Sequence, residues 1–395
     1  ENTYELVESD YNSNRRTAKR KVKSKKLPGV SPLVYSRFLL EYTAFLSLSD
    51  MGKDLPDYEE IPVPLEMPEQ VRENYKRAER VLQKVLKEDR KTANKLLSTY
   101  MNLLTVYPDQ PYDQPEIVHP INGNVILTPA NAACFDDILP KEEKVLEIVR
   151  DKAAAGGRVL VYTSWTRTDS QQKLLKLLTQ AGYRTEILAT TVPPNKREEW
   201  VEKRVRSGLQ VLITNQKCVE TGLDLNDFTT LIFYSMGFNL FTLRQASRRS
   251  WRINQAAPRV EVYLLYYKDT MQAKAMKLMA SKLAVAGIIE GTLSEEGLAA
   301  MSDVRDLTSQ MAKELSLGIK DNVEDIAASF KKMAVINPER RTRTVVQPTA
   351  ELPALEEITI KAVSAHTRRK EFDGLLERTL EEQKKKKKPK KPVVD

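Results

Sequence analysis

The residues best suited to chemistry lie between Gln245 and Gln255, in the run Gln-Ala-Ser-Arg-Arg-Ser-Trp-Arg-Ile-Asn-Gln. Arg244, Arg248, Arg249 and Arg252 crowd about two helical turns. Such crowding of like charge is costly unless an anion shares the site, and a nucleotide phosphate is the natural candidate. Arg249 and Arg252 are three apart, so a helix over this run would put them on one face. A lone arginine pair would read as a solvated basic helix, and the flanking sequence is what shifts the balance. An apolar run, Leu231 to Tyr234, precedes the arginines, and a β-rich run, Val260 to Tyr266, follows them. Strand, helix and strand make one βαβ unit, and ligands in such sheets gather beyond the carboxyl ends of the strands.

The elements that must position these arginines extend upstream. Val159–Tyr162, Thr185–Leu188, Val211–Ile213 and Thr230–Tyr234 read as strands; Ser170–Gln180 and Lys196–Arg206 read as helices between them. This alternation predicts an α/β fold with a parallel, doubly wound sheet and right-handed crossovers. Residues 69–104 read as one amphipathic helix, with Val71, Tyr75, Ala78, Leu82, Val85 and Leu86 at helical spacing. Pro108–Pro120 reads as a linker, followed by a helix from Lys141 to Lys152. Asp269 to Lys282 reads as a long helix, and shorter helices are expected at 295–301, 304–315 and 373–383.

The spacing Gln-Ala-x-x-Arg-x-x-Arg-Ile-x-Gln resembles motif VI of superfamily-two helicases, and most closely that of Swi/Snf-type ATPases. Trp251 and Asn254 stand where that pattern commonly has histidine and glycine. Leu55-Pro56, the strand-like Glu59–Leu65 and then Gln70 with Tyr75 are similar to the same family's pattern at the end of its first motor lobe. The resemblance implies a RecA-like sheet with a helical N-terminal protrusion and a helical, basic C-terminal extension. It implies Arg252 as the arginine finger with Arg249 its partner, and Gln245 at the nucleotide. Gly222-Leu223-Asp224-Leu225 resembles motif V, where Gly222 lets backbone approach the nucleotide and Asp224 accepts from a ribose hydroxyl or positions the finger. Thr214 and Asn215 then face a nucleic-acid phosphate, a contact that positions without reading sequence. Tyr162-Thr163-Ser164-Trp165 resembles motif IV, with Thr163 and Ser164 on phosphate and Trp165 on a base, a ribose or the core.

The matching domain map has five parts. Residues 1–35 are a basic linker or insertion, read as unstructured. Residues 36–125 are the end of the first motor lobe and its helical protrusion. Residues 126–300 are the second RecA-like helicase C-terminal lobe, 301–350 a helical extension, and 351–395 a low-complexity basic tail.

Composition narrows the function classes. The 395 residues carry 63 Lys and Arg against 54 Asp and Glu, a net charge of +9, which favours a polyanionic partner. Two cysteines and two histidines give neither a disulfide framework nor a metal site, and Cys218 has no histidine near it in sequence to act as a nucleophile. No membrane-span run or signal-peptide pattern is present, so an intracellular setting is expected, cytoplasmic or nucleoid-associated in a bacterium. The phosphate-cradling Gly-x-x-x-x-Gly-Lys-Ser/Thr run and an acidic magnesium box are absent; Gly52-Lys53-Asp54 does not fit. In the family these lie on lobe one, so the chain, beginning at Glu1, is expected to be a piece of a longer protein. It would hold half of a site for ATP with Mg2+, facing the first RecA-like lobe and duplex DNA. The alternatives are an RNA helicase lobe and a non-catalytic nucleic-acid-binding or scaffold module.

Overall fold

The computed structural model describes residues 3–7, 22–26, 42, 55–88, 90–164, 169–219, 223–235, 240–252, 255–289 and 326. The helices expected after residue 290 lie outside these residues, as do Trp165 and Gly222. The chain divides into two compact units. One contains an antiparallel pair, β1 (Thr3–Val7) and β2 (Val22–Lys26), with Thr3 opposite Lys26. The basic stretch read as unstructured therefore contains strands. Thr3, Tyr4 and Val7 are strand-favouring types, a local preference that the charge run masks.

The other unit, within Met51–Ala280, is built on a six-stranded sheet. Its strands are β3 (Asp57–Leu65), β6 (Val159–Thr163), β7 (Thr185–Leu188), β8 (Val211–Asn215), β9 (Thr230–Phe233) and β10 (Arg259–Tyr267). The order is β3-β10-β9-β6-β8-β7 and every pairing is parallel. From β6 the chain moves outward to β7, returns to β8, then crosses β6 to reach β9. The reversal falls at β6, and in an open α/β sheet the crevice beyond the carboxyl ends at such a switch is the place for ligands.

β6, β8 and β9 are buried at every position. Covered on both faces, such strands need continuous apolar runs rather than alternation. On one face Val159, Val161, Val211, Ile213 and Ile232 pack with Val145, Ile148 and Val149 of α3 (Pro140–Ala154) and with Leu174 and Leu178 of α4 (Ser170–Gln180). Each such side chain contributes about 1.5–3 kcal/mol on burial, more than helix propensity supplies per residue. On the other face the Tyr162 hydroxyl donates to the Ala246 carbonyl of α6 (Leu240–Ser247) at 3.2 Å.

Tight helix ends aim the strands. Gly182 follows α4 at φ +91°, donating to Thr179, while Tyr183 donates back to Leu178. Gly208 at φ +89° closes α5 (Arg197–Arg206) in the same way. A left-handed residue at this position is the glycine form of helix termination, and it turns the chain directly into β7 and β8.

The boundary expected at residue 126 cuts through this unit. β3 is hydrogen-bonded to β10 along nine residues, with Asp57 opposite Arg259 and Leu65 opposite Tyr267. Residues read as the end of the first lobe thus supply the edge strand of this sheet. The single helix read over 69–104 is two, α1 (Glu69–Glu88) and α2 (Arg90–Val106). Val71, Tyr75, Ala78 and Leu82 of α1 are buried, and the Tyr75 hydroxyl accepts from the backbone N–H of Met271, where α7 (Met271–Ile289) begins. Asp269 is not in that helix; it sits at φ +52° in the turn before it. The stretch read as a linker is buried from Pro108 to Tyr112 and exposed mainly beyond, where β4 (Ile117–Val118) pairs with β5 (Val125–Leu127).

Candidate functional site

Ser164, Asn215 and Ser235 stand at the carboxyl ends of β6, β8 and β9, on both sides of the switch strand. The Ser164 N–H donates to Ser235 Oγ at 2.8 Å, and Ser164 Oγ donates to the Ser235 carbonyl at 2.9 Å. The amide of Gln216 donates to Ser164 Oγ at 3.0 Å and to the Ser235 carbonyl at 3.1 Å. Asn215 Nδ2 donates to the Ser164 carbonyl at 3.2 Å, and its Oδ1 accepts from the N–H of Lys217 at 2.9 Å. Three strand ends are therefore locked by side chains, with Ser164 half-buried at the rim.

Two expected phosphate contacts are corrected. Thr214 is fully buried and its hydroxyl donates to the Leu188 carbonyl at 3.0 Å. Thr163 is fully buried and accepts from Gln171 Nε2 at 2.8 Å. Both lie buried in strands of the sheet's interior, Thr163 facing Gln171 of α4 and Thr214 facing the end of β7, and a buried hydroxyl must find a partner inside the protein. Asn215, 5% exposed, has both ends of its amide engaged. Ser235 and Gln216, which the sequence reading passed over, complete the cluster; an apolar strand followed at once by a small polar residue was the signal available.

The arginine segment departs from its expected geometry. α6 ends at Ser247, so Arg249 and Arg252 are not on a helical face. Three tertiary anchors end the helix. Ser250, fully buried, donates to the Leu225 carbonyl at 2.9 Å. Trp251 donates from Nε1 to the Pro56 carbonyl at 2.8 Å and packs on Tyr58 with ring centroids 4.9 Å apart. Gln255 Nε2 donates to the carbonyls of Asn226 and Ser250 at 2.8 and 2.9 Å. Together these outweigh the helix preference of a run of arginines, which is only tenths of a kcal/mol per residue. Trp251 is thus a core anchor.

Arg252 pairs with Asp224 at 2.9 Å, both side chains about half exposed. Arg249 lies close enough to the Tyr162 hydroxyl to act on it electrostatically, although burial dominates and pushes that phenol well above its ordinary range. Arg248 lies over the Trp251 ring at 5.5 Å. Gln245 is half-buried on α6. Asp224 and Arg252 occupy the segments that enter β9 and β10, so they meet on the amino-end side of those strands, not at the carboxyl edge where α6 begins.

A third polar group had no counterpart in the sequence reading. Lys141 and Asp109, both almost fully buried, pair at 2.8 Å; Lys173 and Glu142, equally buried, pair at 2.9 Å. Lys141 Nζ also donates to the Tyr234 carbonyl at 2.9 Å and sits between the Tyr234 and Tyr267 rings. Glu142 accepts from the Leu139 N–H at 2.6 Å and from the Tyr234 hydroxyl at 3.1 Å. Burial pushes the Asp109 and Glu142 carboxyls up and the Lys141 ammonium down, each against an opposing pull from its ion-pair partner. Among the described residues no group of His, Cys, Asp and Glu is arranged to hold a metal ion, and no described helix is long and apolar enough to cross a membrane.

The structure thus has a parallel sheet with polar residues at its switch and an arginine segment in its last crossover, from β9 to β10. Residues 140–254 match the helicase conserved C-terminal domain family. The relatives carry Swi/Snf-related and helicase/translocase names. The chain is 25% identical over 225 residues to a Caenorhabditis elegans protein described as a "SWI/SNF-related matrix-associated actin-dependent regulator of chromatin subfamily A containing DEAD/H box 1 homolog", covering 53% of this chain and 21% of that one. It is 26% identical over 175 residues to the putative ATP-dependent helicase/translocase YwqA of Bacillus subtilis strain 168, covering 44% and 18%. The chain thus matches about a fifth of the length of these curated relatives. The solved C-terminal part of the Fun30 ATPase domain aligns at a TM-score of 0.46 and 17% identity, covering 66% of this chain and 99% of that one.

Proposed function

We propose that this chain is the C-terminal motor lobe of an ATP-dependent DNA translocase, acting with a first RecA-like lobe elsewhere in the same protein inside the cell. The observation that carries the reading is the Arg252–Asp224 pair, which joins the motif VI and motif V segments at 2.9 Å. A guanidinium aimed by a carboxylate and still about half exposed suits a group that must reach phosphate presented by another lobe. Arg249 and Arg252 would hold the phosphates, with Gly222 and Gln245 near the nucleotide. ATP, with its Mg2+ held largely by the first lobe, supplies the phosphoryl group whose developing charge an arginine stabilises. Lobe closure brings the arginines onto that charge, and opening releases it. Ser164, at the rim of the carboxyl-edge cluster, is the residue best placed for a backbone phosphate of duplex DNA, with Trp165 beside it in sequence.

The test is nucleotide turnover by the full-length protein with duplex DNA, single-stranded DNA or duplex RNA added. Stimulation by duplex DNA supports the reading. Preferential stimulation by RNA would select the RNA helicase alternative, and no metal-dependent turnover under any condition would select the non-catalytic module.

A further inference from the structure

Thr105 at the end of α2, Asp109 in the loop after it, Lys141 at the start of α3, Ser235 after β9 and Gln272 on α7 converge on one small cavity. Gln272 Nε2 donates to the Thr105 carbonyl at 2.9 Å, and its Oε1 accepts from the Tyr267 N–H at 3.2 Å, so the end of α2 is tied to the end of β10. Lys141 occupies the middle of this convergence. Its Nζ pairs with Asp109 on one side and donates to the Tyr234 carbonyl on the other. The next residue, Ser235, is the one that accepts from Ser164 and Gln216 at the carboxyl edge. A continuous polar path thus runs from the loop after the helical hairpin to the three locked strand ends.

Stability alone does not account for this lysine. Burying an ion pair costs several kcal/mol per ion before the attraction repays it, and well-packed apolar replacements are often neutral or better. What an apolar side chain would not supply is direction: one ammonium holding a carboxylate from one segment and a carbonyl from another. We infer that Lys141 is a positioning residue, coupling the loop that leaves the α1–α2 hairpin to the Ser164–Gln216–Ser235 cluster through Tyr234. Displacement of the hairpin is then felt at the strand ends, and engagement of the strand ends is felt at the hairpin. The structural coupling stands by itself; its part in a motor cycle rests on the reading proposed above.

The test uses the full-length protein carrying Asp109→Leu with Lys141→Met, which removes both charges and preserves bulk. Three quantities are read: thermal midpoint, amide hydrogen exchange at 162–164, 214–216 and 234–235, and the DNA concentration giving half-maximal turnover. The expected result is a midpoint near that of wild type, with exchange faster by about tenfold at the three strand ends. The DNA requirement should rise several-fold while turnover at saturating DNA changes less. Unchanged exchange overturns the coupling, and faster exchange with an unchanged DNA requirement overturns its role in the cycle. Should the double variant fail to fold, Asp109→Asn loosens Lys141 while leaving every hydrogen bond of Ser235 in place and must speed exchange at Ser164 and Gln216; no change there overturns the inference as well. A wild-type protein that duplex DNA does not stimulate sinks the motor reading and leaves the exchange result to decide the coupling.

Discussion

Arg252 and Asp224 form an ion pair across 2.9 Å between two segments that run separately into β9 and β10. The pair fixes the direction of the guanidinium without burying it. On the proposed reading, replacing Arg252 with Ala in the full-length protein should cut turnover on the order of a thousandfold while sparing ATP binding, because an arginine in that role acts on charge that appears only in the transition state. Arg252→Lys should restore little, since an ammonium lacks the planar fork. Asp224→Asn should cost less than Arg252→Ala, for it loosens the arginine without removing it. Arg248→Ala should be milder still, because Arg248 lies against Trp251. Steady-state turnover and nucleotide affinity for the four variants check the order; an inactive Arg248→Ala beside an active Arg252→Ala would refute it.

Much of the lobe was legible because its strands are buried on both faces. Val159–Tyr162 and Val211–Ile213 read from the sequence as strands that the structure extends by one and two residues, and Ser170–Gln180 has the bounds read for it. Continuous apolar strands and a leucine-spaced helix leave little room for another period. The end of α6 was not legible, because Ser250, Trp251 and Gln255 are tied to residues distant in sequence, such as Pro56 and Leu225. The place of β3 was hidden for a related reason: its partner strand β10 begins about two hundred residues later, and periodicity carries no information about strand order. Lys141, Glu142 and Lys173 were missed because a charged residue near a helix start looks the same whether solvated or buried. Only the tertiary partner distinguishes the two. At the site, Arg252 and Asp224 were both named from motif spacing and do meet. Thr163 and Thr214 were named from resemblance to motifs IV and V, and motif spacing does not tell whether a hydroxyl near a strand end faces the rim or the interior.

Trp251 makes a prediction about stability rather than turnover. Its Nε1 bond to Pro56 and its contact with Tyr58 attach the arginine segment to the edge strand β3. Trp251→Ala should cost about 3–5 kcal/mol, the usual range for emptying a buried aromatic site. Trp251→Phe should cost less, about 1–3 kcal/mol, chiefly from leaving the Pro56 carbonyl without its donor. Urea midpoints of the two variants provide the measurement. Equal costs would mean that the packing a phenylalanine ring retains contributes nothing and that the lost hydrogen bond accounts for the whole effect.

Glu142 makes a prediction about pH. Burial raises its carboxyl above the ordinary range, despite the opposing pull of Lys173 and the bonds from Leu139 and Tyr234. A carboxyl whose folded value lies above its unfolded value favours the fold most in its neutral form. That contribution is present below the unfolded value and is lost as pH rises through the folded one. Glu142→Gln is neutral at every pH, so its stability relative to wild type should improve as pH rises from about 4 toward neutrality. Unfolding free energies of the two proteins at several pH values across that window check the slope. A variant that instead loses ground with rising pH would show that the ion pair with Lys173 outweighs burial.

Proteolysis tests where the chain between α2 and α3 is open. The proline-rich composition of 108–120 suggests one accessible linker, yet its first part is buried. Asp109 is paired with Lys141, Gln110 Oε1 accepts from the Asp169 N–H at 3.3 Å, and Tyr112 is 4% exposed. The β4–β5 turn is different: Val118, Ile121 and Val125 are 46, 69 and 53% exposed. A protease needs several residues of extended, accessible backbone, and the turn offers them without breaking an ion pair. Thermolysin, which cuts ahead of large apolar residues, should cleave before Ile121 or Val125 well ahead of any cut between Tyr107 and Tyr112. Removing the Asp109 carboxylate by Asp109→Ala should shift early cleavage into 107–112, because Lys141 would then be buried without its partner and that segment would open. Mass spectrometry of early fragments reads both outcomes, and early wild-type cleavage at 107–112 would contradict the burial of this loop.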